Sequence, residues 1–242
     1  MSRLAFVSDI HSNLHALTAV LAEVERAQCD GIYCLGDQVG YGARPAECLA
    51  LLRDVGAQAL TGNHDAMVTG REKGEGFNEN SKIAAALNRD LLSKEDLVYL
   101  AGLPDTIRYR SDVLLCHGSP NSYNQYTYFK VDFSLTVDQM RQQGLTRCFL
   151  GHTHHPVLYD GELLRYDTAT EFPLEKERAY IINPGSVGQP RDGDVRASFA
   201  TWDDQAEVLR FHRVEYDVAG AREDILAAGL PERLGDRLLE GK

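Results

Sequence analysis

The residues best suited to catalysis lie in short polar segments that each follow an apolar run. Gly151-His152-Thr153-His154 follows Arg147-Cys148-Phe149-Leu150, and four earlier segments repeat this arrangement. Together the segments carry seven candidate ligands: Asp9, His11, Asp37, Asn63, His117, His152 and His154. If each apolar run is a buried strand, these side chains lie at strand ends, where α/β folds place their functional residues. We therefore expect a sheet to bring them together at one edge.

The types of these residues indicate a metal site. Imidazole, carboxylate and amide ligands without a thiolate suit Mn, Fe, Zn, Co or Ni better than Ca²⁺ or a structural zinc site built from cysteines. Seven ligands are too many for one tetrahedral ion. They suit two divalent ions that share a bridging carboxylate and keep positions open for water and substrate.

In their order along the chain, the five segments resemble the calcineurin-like metallophosphoesterases, specifically their compact bacterial and archaeal phosphodiesterase and phosphatase branch. The family pattern D-x-H, G-D, G-N-H-[DE], H and G-H-x-H is complete between residues 9 and 154. The resemblance implies an α/β fold in four layers, an αββα sandwich of two mixed β-sheets flanked by helices, with a dinuclear metal site at the strand ends. It also implies that Asp37 bridges the two ions. The ligands of one ion would be Asp9, His11 and His154, and those of the other Asn63, His117 and His152.

The implied activity is hydrolysis of a phosphate ester. Two bridged ions lower the pKa of a shared water from 15.7 towards roughly 7, and the resulting metal-bound hydroxide attacks phosphorus in line with the leaving group. His64 follows the ligand Asn63 and faces another direction if this segment is extended. The resemblance gives His64 the role of acid or charge-stabilising group, and Asp65 or the neighbourhood of Asp37 would orient its ring. The chain is thus predicted to be a metal-dependent phosphodiesterase or phosphatase.

Charge narrows the class of substrate. The formal net charge of −11, with no run of basic residues, argues against extended nucleic acid as a partner and disfavours a nuclease. A pair of divalent ions still attracts a small anion, so a small phosphate ester or a nucleotide fits better. In the protein-phosphatase branch an Asp-Arg-Gly motif follows the bridging aspartate. Residues 36–42 lack this motif, which disfavours phosphoproteins as substrates. The sequence leaves open monoester against diester and the native metal.

Arg191, Tyr41 and Tyr126 are candidate substrate contacts. An arginine that follows a proline is more often solvated than bound to phosphate, so both interpretations of Arg191 stand. Tyr126 lies in a tyrosine-rich segment that is either a surface loop packing its own aromatic rings or a wall of the substrate site. Segments 70–80 and 119–132 are likewise either plain connections or lids over the site.

Length and composition predict one domain over residues 1–242, with 217–242 a C-terminal helical extension for packing or self-association. Strand-then-helix units are expected first, with Ser12 capping the first helix, and the strands after residue 157 are expected to pair antiparallel. The five cysteines form no C-x-x-C pair, and neither a signal peptide nor a membrane span is recognisable. A cytoplasmic protein without membrane partners is therefore expected.

A second function stays open, namely a non-catalytic metal-binding scaffold with the same fold, as a retromer subunit is thought to be. Loss of turnover would show as replaced ligands or a missing general acid, whereas this chain keeps both Asn63 and His64. The enzyme is therefore the favoured interpretation. The remaining histidines, His15, His155 and His212, lie outside the pattern and are not assigned to the site.

Overall fold

The computed structural model describes residues 2–162, 164–165 and 171–242. Its strands are β1 (Arg3–Val7), β2 (Gly31–Cys34), β3 (Gln58–Ala59), β4 (Thr106–Arg110), β5 (Val113–Cys116), β6 (Arg147–Phe149), β7 (Pro156–Tyr159), β8 (Leu164–Arg165), β9 (Glu171–Pro173), β10 (Tyr180–Pro184), β11 (Ala197–Asp203) and β12 (Val208–Val214). Its helices are α1 (Leu14–Arg26), α2 (Pro45–Asp54), α3 (Asn63–Thr69), α4 (Glu79–Leu91), α5 (Lys94–Ala101), α6 (Lys130–Gln142), α7 (Val218–Ala227) and α8 (Glu232–Glu240).

Within the described residues, the strands form two six-stranded mixed sheets. The first sheet has the order β3-β2-β1-β11-β12-β9, and the second has the order β4-β5-β6-β10-β7-β8. In the first sheet β1, β2 and β3 are parallel to one another, and in the second β5, β6 and β10 are parallel. The predicted pair of mixed sheets flanked by helices is confirmed. The expectation of a single sheet edge is wrong, because the strands that lead to the ligands are divided between the two sheets.

The layers are held together by apolar packing on both faces of each sheet. Phe6 of β1 and Phe149 of β6 stack between the sheets, with ring centroids 3.9 Å apart, and Trp202 of β11 joins the same core. On the outer face of the first sheet, α1 contributes Leu17, Val20 and other buried residues. Helix α6 covers the second sheet in the same way. The last residues of β1, β2, β3, β5 and β6, which lead to the ligands, are therefore buried.

Several local expectations change in the folded chain. Helix α1 is capped by Asn13, whose side chain accepts a hydrogen bond from the Ala16 N–H at 3.1 Å, rather than by Ser12. Strand β10 is parallel to β6, so the late strands are not all antiparallel as expected. Strand β9 is an addition that the sequence did not indicate. The sequence also predicts a strand over residues 163–166. The structure describes 164–165 of it as β8, and residues 163 and 166 lie outside the described residues.

The tail forms two helices, α7 and α8, which are separated near Gly229 and Pro231. Ile225, Leu234 and Leu238 of these helices share a buried cluster with Tyr41, which lies in a loop next to the candidate ligand Asp37. The tail thus packs beside the ligand-bearing loops. Neither α7, α8 nor any other helix that the structure describes combines the length and apolar character needed to cross a bilayer.

Candidate metal centre

The structure brings the seven predicted ligands together where the loops after β1, β2, β3, β5 and β6 meet. We call these seven residues the ligand cluster; all are buried, with side chains at most 4% exposed. Asp9, His11, Asp37, His152 and His154 have positive φ angles of 53°, 49°, 52°, 68° and 61°. Such left-handed backbone is uncommon for residues other than glycine and concentrates at functional sites.

Hydrogen bonds between the loops hold this backbone in place. The Asp9 N–H donates to the Gly36 carbonyl at 3.1 Å, and the His11 N–H donates to the Asp37 carbonyl at 3.0 Å. The Asp9 carboxylate accepts from the His152 N–H at 3.1 Å, which joins the first sheet to the second. At Gly62 a Cβ would collide with the Asp37 carboxylate, so this position requires glycine.

Asp9, His11 and His154 form one group of converging donor atoms. The Nε2 atoms of His11 and His154 are 3.1 Å apart. The Asp9 Oδ1 atom is 3.4 Å from the Nε2 of His154 and 3.9 Å from that of His11. Atoms this close, on three different side chains, can share a single cation.

Asp37, Asn63, His117 and His152 form a second group beside the first. The His117 Nε2 atom is 3.3 Å from the Asp37 Oδ2 and 3.1 Å from the Asn63 Oδ1. Ligand atoms of Asp37, His117 and His152 all lie within 4.8 Å of one another. The same Asp37 Oδ2 is 3.7 Å from the Nε2 of His11 in the first group. Asp37 therefore lies between the two groups.

Backbone carbonyls orient three of the imidazoles. The Nδ1 atoms of His11, His117 and His154 lie 3.1, 2.6 and 2.6 Å from the carbonyls of Val39, Leu35 and Gln189 respectively. A carbonyl only accepts, so each Nδ1 carries a proton and each ring turns its Nε2 towards the cluster, as metal-binding histidines do. The buried Nε2 of His152 has no hydrogen-bond partner among the described residues. These residues fit divalent transition-metal ions in both donor type and orientation.

Burial and mutual interaction set the charges of the cluster. Burial raises the pKa of Asp9 to about 7 and lowers the pKa values of His11, His152 and His154 well below the ordinary range. For Asp37 and His117, burial is outweighed by their attraction to each other and to neighbouring groups. The pKa of Asp37 is lowered and that of His117 is raised to about 9. The cluster thus concentrates groups that a cation would stabilise.

Comparison with known proteins agrees with this arrangement. Residues 2–207 match the calcineurin-like phosphoesterase superfamily domain. The chain belongs to the calcineurin-like phosphoesterase superfamily. Proteins of this superfamily act on phosphate esters and typically bind divalent metals. The described residues include clustered candidate ligands for such metals.

Relatives within the calcineurin-like phosphoesterases cover the whole chain. An uncharacterised protein of Methanocaldococcus jannaschii is 39% identical over 100% of this chain and 99% of its own length. The structure of a metallophosphoesterase from Sphaerobacter thermophilus is similar with 38% identity and a TM-score of 0.87, covering 100% of this chain and 99% of that one. A hypothetical protein from Pyrococcus horikoshii shares the fold at 19% identity and a TM-score of 0.84, with the same coverage. The similar structures are of small prokaryotic and archaeal type.

His64 of this calcineurin-like phosphoesterase lies beside the ligand cluster. It is in the first turn of α3, so the segment is helical and not extended as expected, and its N–H donates to the Asp37 Oδ1 at 2.8 Å. The ring contacts His11 and Tyr41, with centroids 4.9 and 4.4 Å apart. Burial lowers the pKa of His64 to about 4. Its Nδ1 has no partner within the part of the chain that the structure describes.

Asp65 does not orient the His64 ring, which corrects that expectation. The Asp65 carboxylate instead accepts hydrogen bonds from the backbone N–H groups of Gln38 and Gly62, both at 2.9 Å, and of Val39 at 3.2 Å. Because two of these donors follow Asp37 directly, Asp65 positions the loop that carries Asp37. Its predicted catalytic role becomes a positioning role.

Two of the three predicted substrate contacts, Tyr41 and Tyr126, line one cleft beside the ligand cluster, and the third, Arg191, lies against Tyr41. The Tyr126 ring stacks on His152 with centroids 3.8 Å apart, and Tyr126 is 54% exposed. The guanidinium of Arg191 lies 5.6 Å from the centroid of the Tyr41 ring and donates to the Gln189 Oε1 at 2.9 Å. Tyr41 itself packs on His11, with centroids 4.6 Å apart.

A cleft of about 290 Å³ leads from the surface to the cluster. Asn63 and His64 lie at its inner end, and Tyr41, Phe77 and Tyr126 form part of its walls. Both candidate lid segments contribute, through residues 75–78 and through 124 and 126. The two segments also contact each other, since the Tyr123 hydroxyl donates to Glu72 at 2.7 Å. They form the walls of this cleft, and their movement stays a prediction.

Two supporting residues were missed from the sequence. Asn88 of α4 accepts hydrogen bonds from the Ser12 hydroxyl at 2.7 Å and the Gly40 N–H at 2.6 Å, and it donates to the Gly42 carbonyl at 2.9 Å. Gln189 supplies the carbonyl that orients His154. An asparagine on the apolar side of an amphipathic helix is a usable sequence signal for Asn88, which is fully buried. Gln189 gives no such signal, because it acts through its backbone carbonyl.

Proposed function

We propose that this chain hydrolyses small phosphate esters and that the ligand cluster holds two divalent metal ions. The observation that carries the proposal is the position of the Asp37 carboxylate, 3.7 Å from the Nε2 of His11 and 3.3 Å from the Nε2 of His117. A carboxylate between two groups of nitrogen and oxygen donors is the arrangement that a bridged pair of ions requires.

We assign three residues to each ion and Asp37 to both. The first set is Asp9, His11 and His154, and the second is Asn63, His117 and His152. When bound, the ions would supply positive charge for the phosphoryl oxygens and a water whose pKa is lowered to roughly 7. Mn, Fe, Zn, Co and Ni all accept this mixture of nitrogen and oxygen ligands.

The chain's own residues supply binding and proton transfer. His64 lies against the ligand cluster and lines the cleft, so we assign it to the leaving group as a proton donor or hydrogen-bond donor. Arg191 and Tyr41 lie together at one side of the opening, where the guanidinium can pair with a phosphoryl oxygen. The Tyr126 ring stacks on the His152 ring and can limit the entry of water to the ligand cluster.

The cleft favours a small substrate. It is about 290 Å³ in volume, which accommodates a phosphate ester or a nucleotide fragment. The net charge of −11 disfavours extended nucleic acid. We therefore propose a small phosphate ester or nucleotide as substrate, and place the protein in the cytoplasm.

The test is metal analysis and a substrate screen of the metal-reconstituted protein and its Asp37→Ala variant. The screen includes monoesters, diesters, cyclic nucleotides and dinucleoside compounds. We expect Asp37→Ala to lose bound metal and roughly 10³-fold or more in kcat/KM, because the charge that orders both ions is removed. Asp138→Ala is the matched control, since Asp138 is exposed and paired with Arg141. A full metal complement in Asp37→Ala, or no turnover by the metal-loaded parent protein, contradicts the proposal.

A further inference from the structure

We propose that Phe77 is a specificity-determining residue, which stacks on a flat aromatic group carried by the leaving group of the substrate. This role rests on the proposed function for the reaction and for the position of the leaving group beside His64. It narrows the substrate from small phosphate esters in general to esters whose alcohol portion carries a flat ring, a nucleobase or an aryl group.

Phe77 is unusual for the segment in which it lies. Residues 70–80 otherwise consist of glycines, charged residues and asparagines. A connecting segment of this composition has no need of a phenylalanine, whose apolar surface is unfavourable in water. Phe77 is nevertheless only half-buried. Part of its apolar surface is therefore left for a group from outside the chain.

Neither the cores nor a helix cap accounts for Phe77. The described residues form five buried apolar clusters, and Phe77 neither belongs to one nor packs against one. Phe77 precedes Asn78, which caps α4 by accepting from the Ser81 N–H at 3.0 Å. A residue before a cap often packs on an apolar residue in the first turn and a half of the helix. That position is Lys82, which pairs with Glu79.

The Phe77 ring instead contacts His64. The two ring centroids are 5.1 Å apart, and the ring planes meet at 80°. Among the described residues this is the one ring contact of Phe77. An edge contact of this kind occupies at most one face of the Phe77 ring, so the other face is available for stacking. Because we assign His64 to the leaving group, a ring attached to the leaving oxygen lies next to Phe77.

A second aromatic ring lines the same cleft. Tyr126 lies on the other candidate lid segment, stacks one face on His152 at 3.8 Å and is 54% exposed. No contact between the Phe77 and Tyr126 rings is found in the part of the chain that the structure describes. The cleft is thus lined by two rings that each contact a histidine of the centre. A flat aromatic group gains stacking energy from such walls, whereas a saturated ring of similar size does not.

The charges of the cleft favour a neutral group over a second phosphoryl group. No lysine or arginine is among its lining residues that the structure describes, and Glu75 adds a negative charge. The side chains of Asn78 and Asn124 also line it. Amides both donate and accept hydrogen bonds, so they can bind the polar edge of a base or of a substituted aryl ring.

Hydrogen bonds hold the segment of Phe77 in place. The Phe77 N–H donates to the Gly74 carbonyl at 3.2 Å, and the Glu72 N–H donates to the Ala66 carbonyl of α3 at 3.0 Å. The Tyr123 hydroxyl donates to Glu72 at 2.7 Å, which ties this segment to the one that carries Tyr126. The aromatic wall is therefore formed before a ligand binds, which reduces the entropy lost on binding.

The first experiment measures binding without turnover. Calorimetry of the protein incubated with Mn²⁺ compares benzylphosphonate with cyclohexylmethylphosphonate, two compounds that differ in the flatness of the ring and contain no ester bond. We expect the ratio of their affinities to fall roughly 3- to 10-fold in Phe77→Leu, which keeps an apolar side chain but loses stacking. Phe77→Tyr should keep the parent ratio.

Phe129→Leu is the matched control for the loss of a phenylalanine. Phe129 is 68% exposed and is not among the residues that line the cleft. Both phosphonates should bind this variant as they bind the parent. Thermal melting of each variant shows that the fold is retained.

The second experiment measures selectivity in the metal-loaded enzyme. The ratio of kcat/KM for benzyl phosphate to kcat/KM for cyclohexylmethyl phosphate should fall roughly 3- to 10-fold in Phe77→Leu, mainly through KM. The intrinsic reactivities of the two esters cancel when the variants are compared. The same ratio for AMP and ribose 5-phosphate identifies the source of the ring. A fall in this second ratio assigns Phe77 to a nucleobase, and a fall in the first ratio alone assigns it to an aryl group.

The two experiments separate failure of this role from failure of the proposed function. If the parent cleaves these esters but Phe77→Leu leaves every ratio unchanged, the role of Phe77 is wrong and hydrolysis stands. If the parent cleaves no ester, the phosphonates still decide, and an unchanged affinity ratio or no binding of either compound overturns the role. An equal loss of affinity for both phosphonates would show that Phe77 only supports its segment and would also overturn it.

Discussion

Two buried polar clusters in this chain differ in how far the chain satisfies them. The first is the ligand cluster. The second, which we call the arginine cluster, is centred on the Arg147–Glu207 ion pair, whose closest atoms are 3.3 Å apart. Arg147 also donates hydrogen bonds of 2.8 to 3.0 Å to three backbone carbonyls, those of Thr146, Arg178 and Glu175. Its charge and most of its donors are therefore matched from within the chain.

The ligand cluster is matched less completely. Three of its imidazoles donate to carbonyls through Nδ1, but their Nε2 atoms crowd together with carboxylates, and the Nε2 of His152 has no partner among the described residues. Buried polar groups are normally paired, so converging ligand atoms of which one has no partner at all indicate a ligand from outside the chain. A buried polar cluster that the chain completes supports the fold, and one that it leaves incomplete indicates function.

The largest effect that separates the clusters is expected for His64→Ala. The variant should keep its metal and unfold at nearly the parent denaturant concentration, while kcat/KM on alkyl phosphates falls roughly 10²- to 10⁴-fold through loss of the proton or hydrogen-bond donor to the leaving group. The loss on p-nitrophenyl phosphate should be smaller, because its leaving group needs less help from a proton. Metal content and leaving-group dependence are measured for His64→Ala and for the control variant His15→Ala. His15 is hydrogen-bonded to Asp224 of α7. Loss of metal from His64→Ala would instead assign this side chain to the structure of the centre.

Glu207→Gln should give the opposite pattern. The substitution leaves the buried Arg147 charge without its carboxylate, and we expect a loss of about 3 kcal/mol in the free energy of unfolding with kcat/KM per folded molecule unchanged. Denaturant titration in EDTA measures it. Glu171→Gln is the control, because Glu171 pairs with Arg210 at an exposed position, where such pairs contribute less than about 1 kcal/mol. Similar losses in the two variants would show that the arginine cluster does not support the fold as described.

The smallest effect is a pH dependence from His212, outside both clusters. Burial lowers the pKa of His212 to about 4, the charge of Arg210 adds to this, and the Nε2 atom is 2.8 Å from the Thr201 hydroxyl. Since the folded pKa lies below the unfolded value of about 6.5, the unfolded chain binds the proton more tightly, and stability falls as pH drops from about 6.5 towards 4.

The His212→Gln variant removes this contribution. The difference in unfolding free energy between the parent and His212→Gln should therefore decrease by about 1 kcal/mol or less from pH 7 to pH 5, after allowance for partial exposure. Other groups titrate equally in both proteins and cancel in the comparison. A difference that stays constant with pH would show that His212 has the same pKa in the folded and unfolded chains.

The ligands were predictable from the sequence because their signal is local. Each motif combines a short apolar run with donor types in a fixed order, and the last residues of each run are buried. The division of those strands between two sheets was not predictable in this way, because it does not depend on the local sequence. It depends on pairings between strands that are distant in sequence, such as β1 with β11, in which Leu4 is paired with Trp202.

The missed features depend on partners that are distant in sequence. The segment at Asn63 is helical because Asp65 accepts hydrogen bonds from the backbone of Gly62 and of Gln38, and the second partner belongs to another loop.

The left-handed backbone at Asp9, His11, Asp37, His152 and His154 limits how this centre could be transplanted. The conformations of His11 and His152 are not stabilised by their own motifs alone, since the His11 N–H is held by the loop of Asp37, and the His152 N–H by the Asp9 carboxylate. A peptide with the letters Gly-His-Thr-His, or a foreign scaffold given the same residues, would present the side chains in other directions. A protein engineer would have to copy the loop backbones of both sheets, with Gly62 among them, before the histidines could meet.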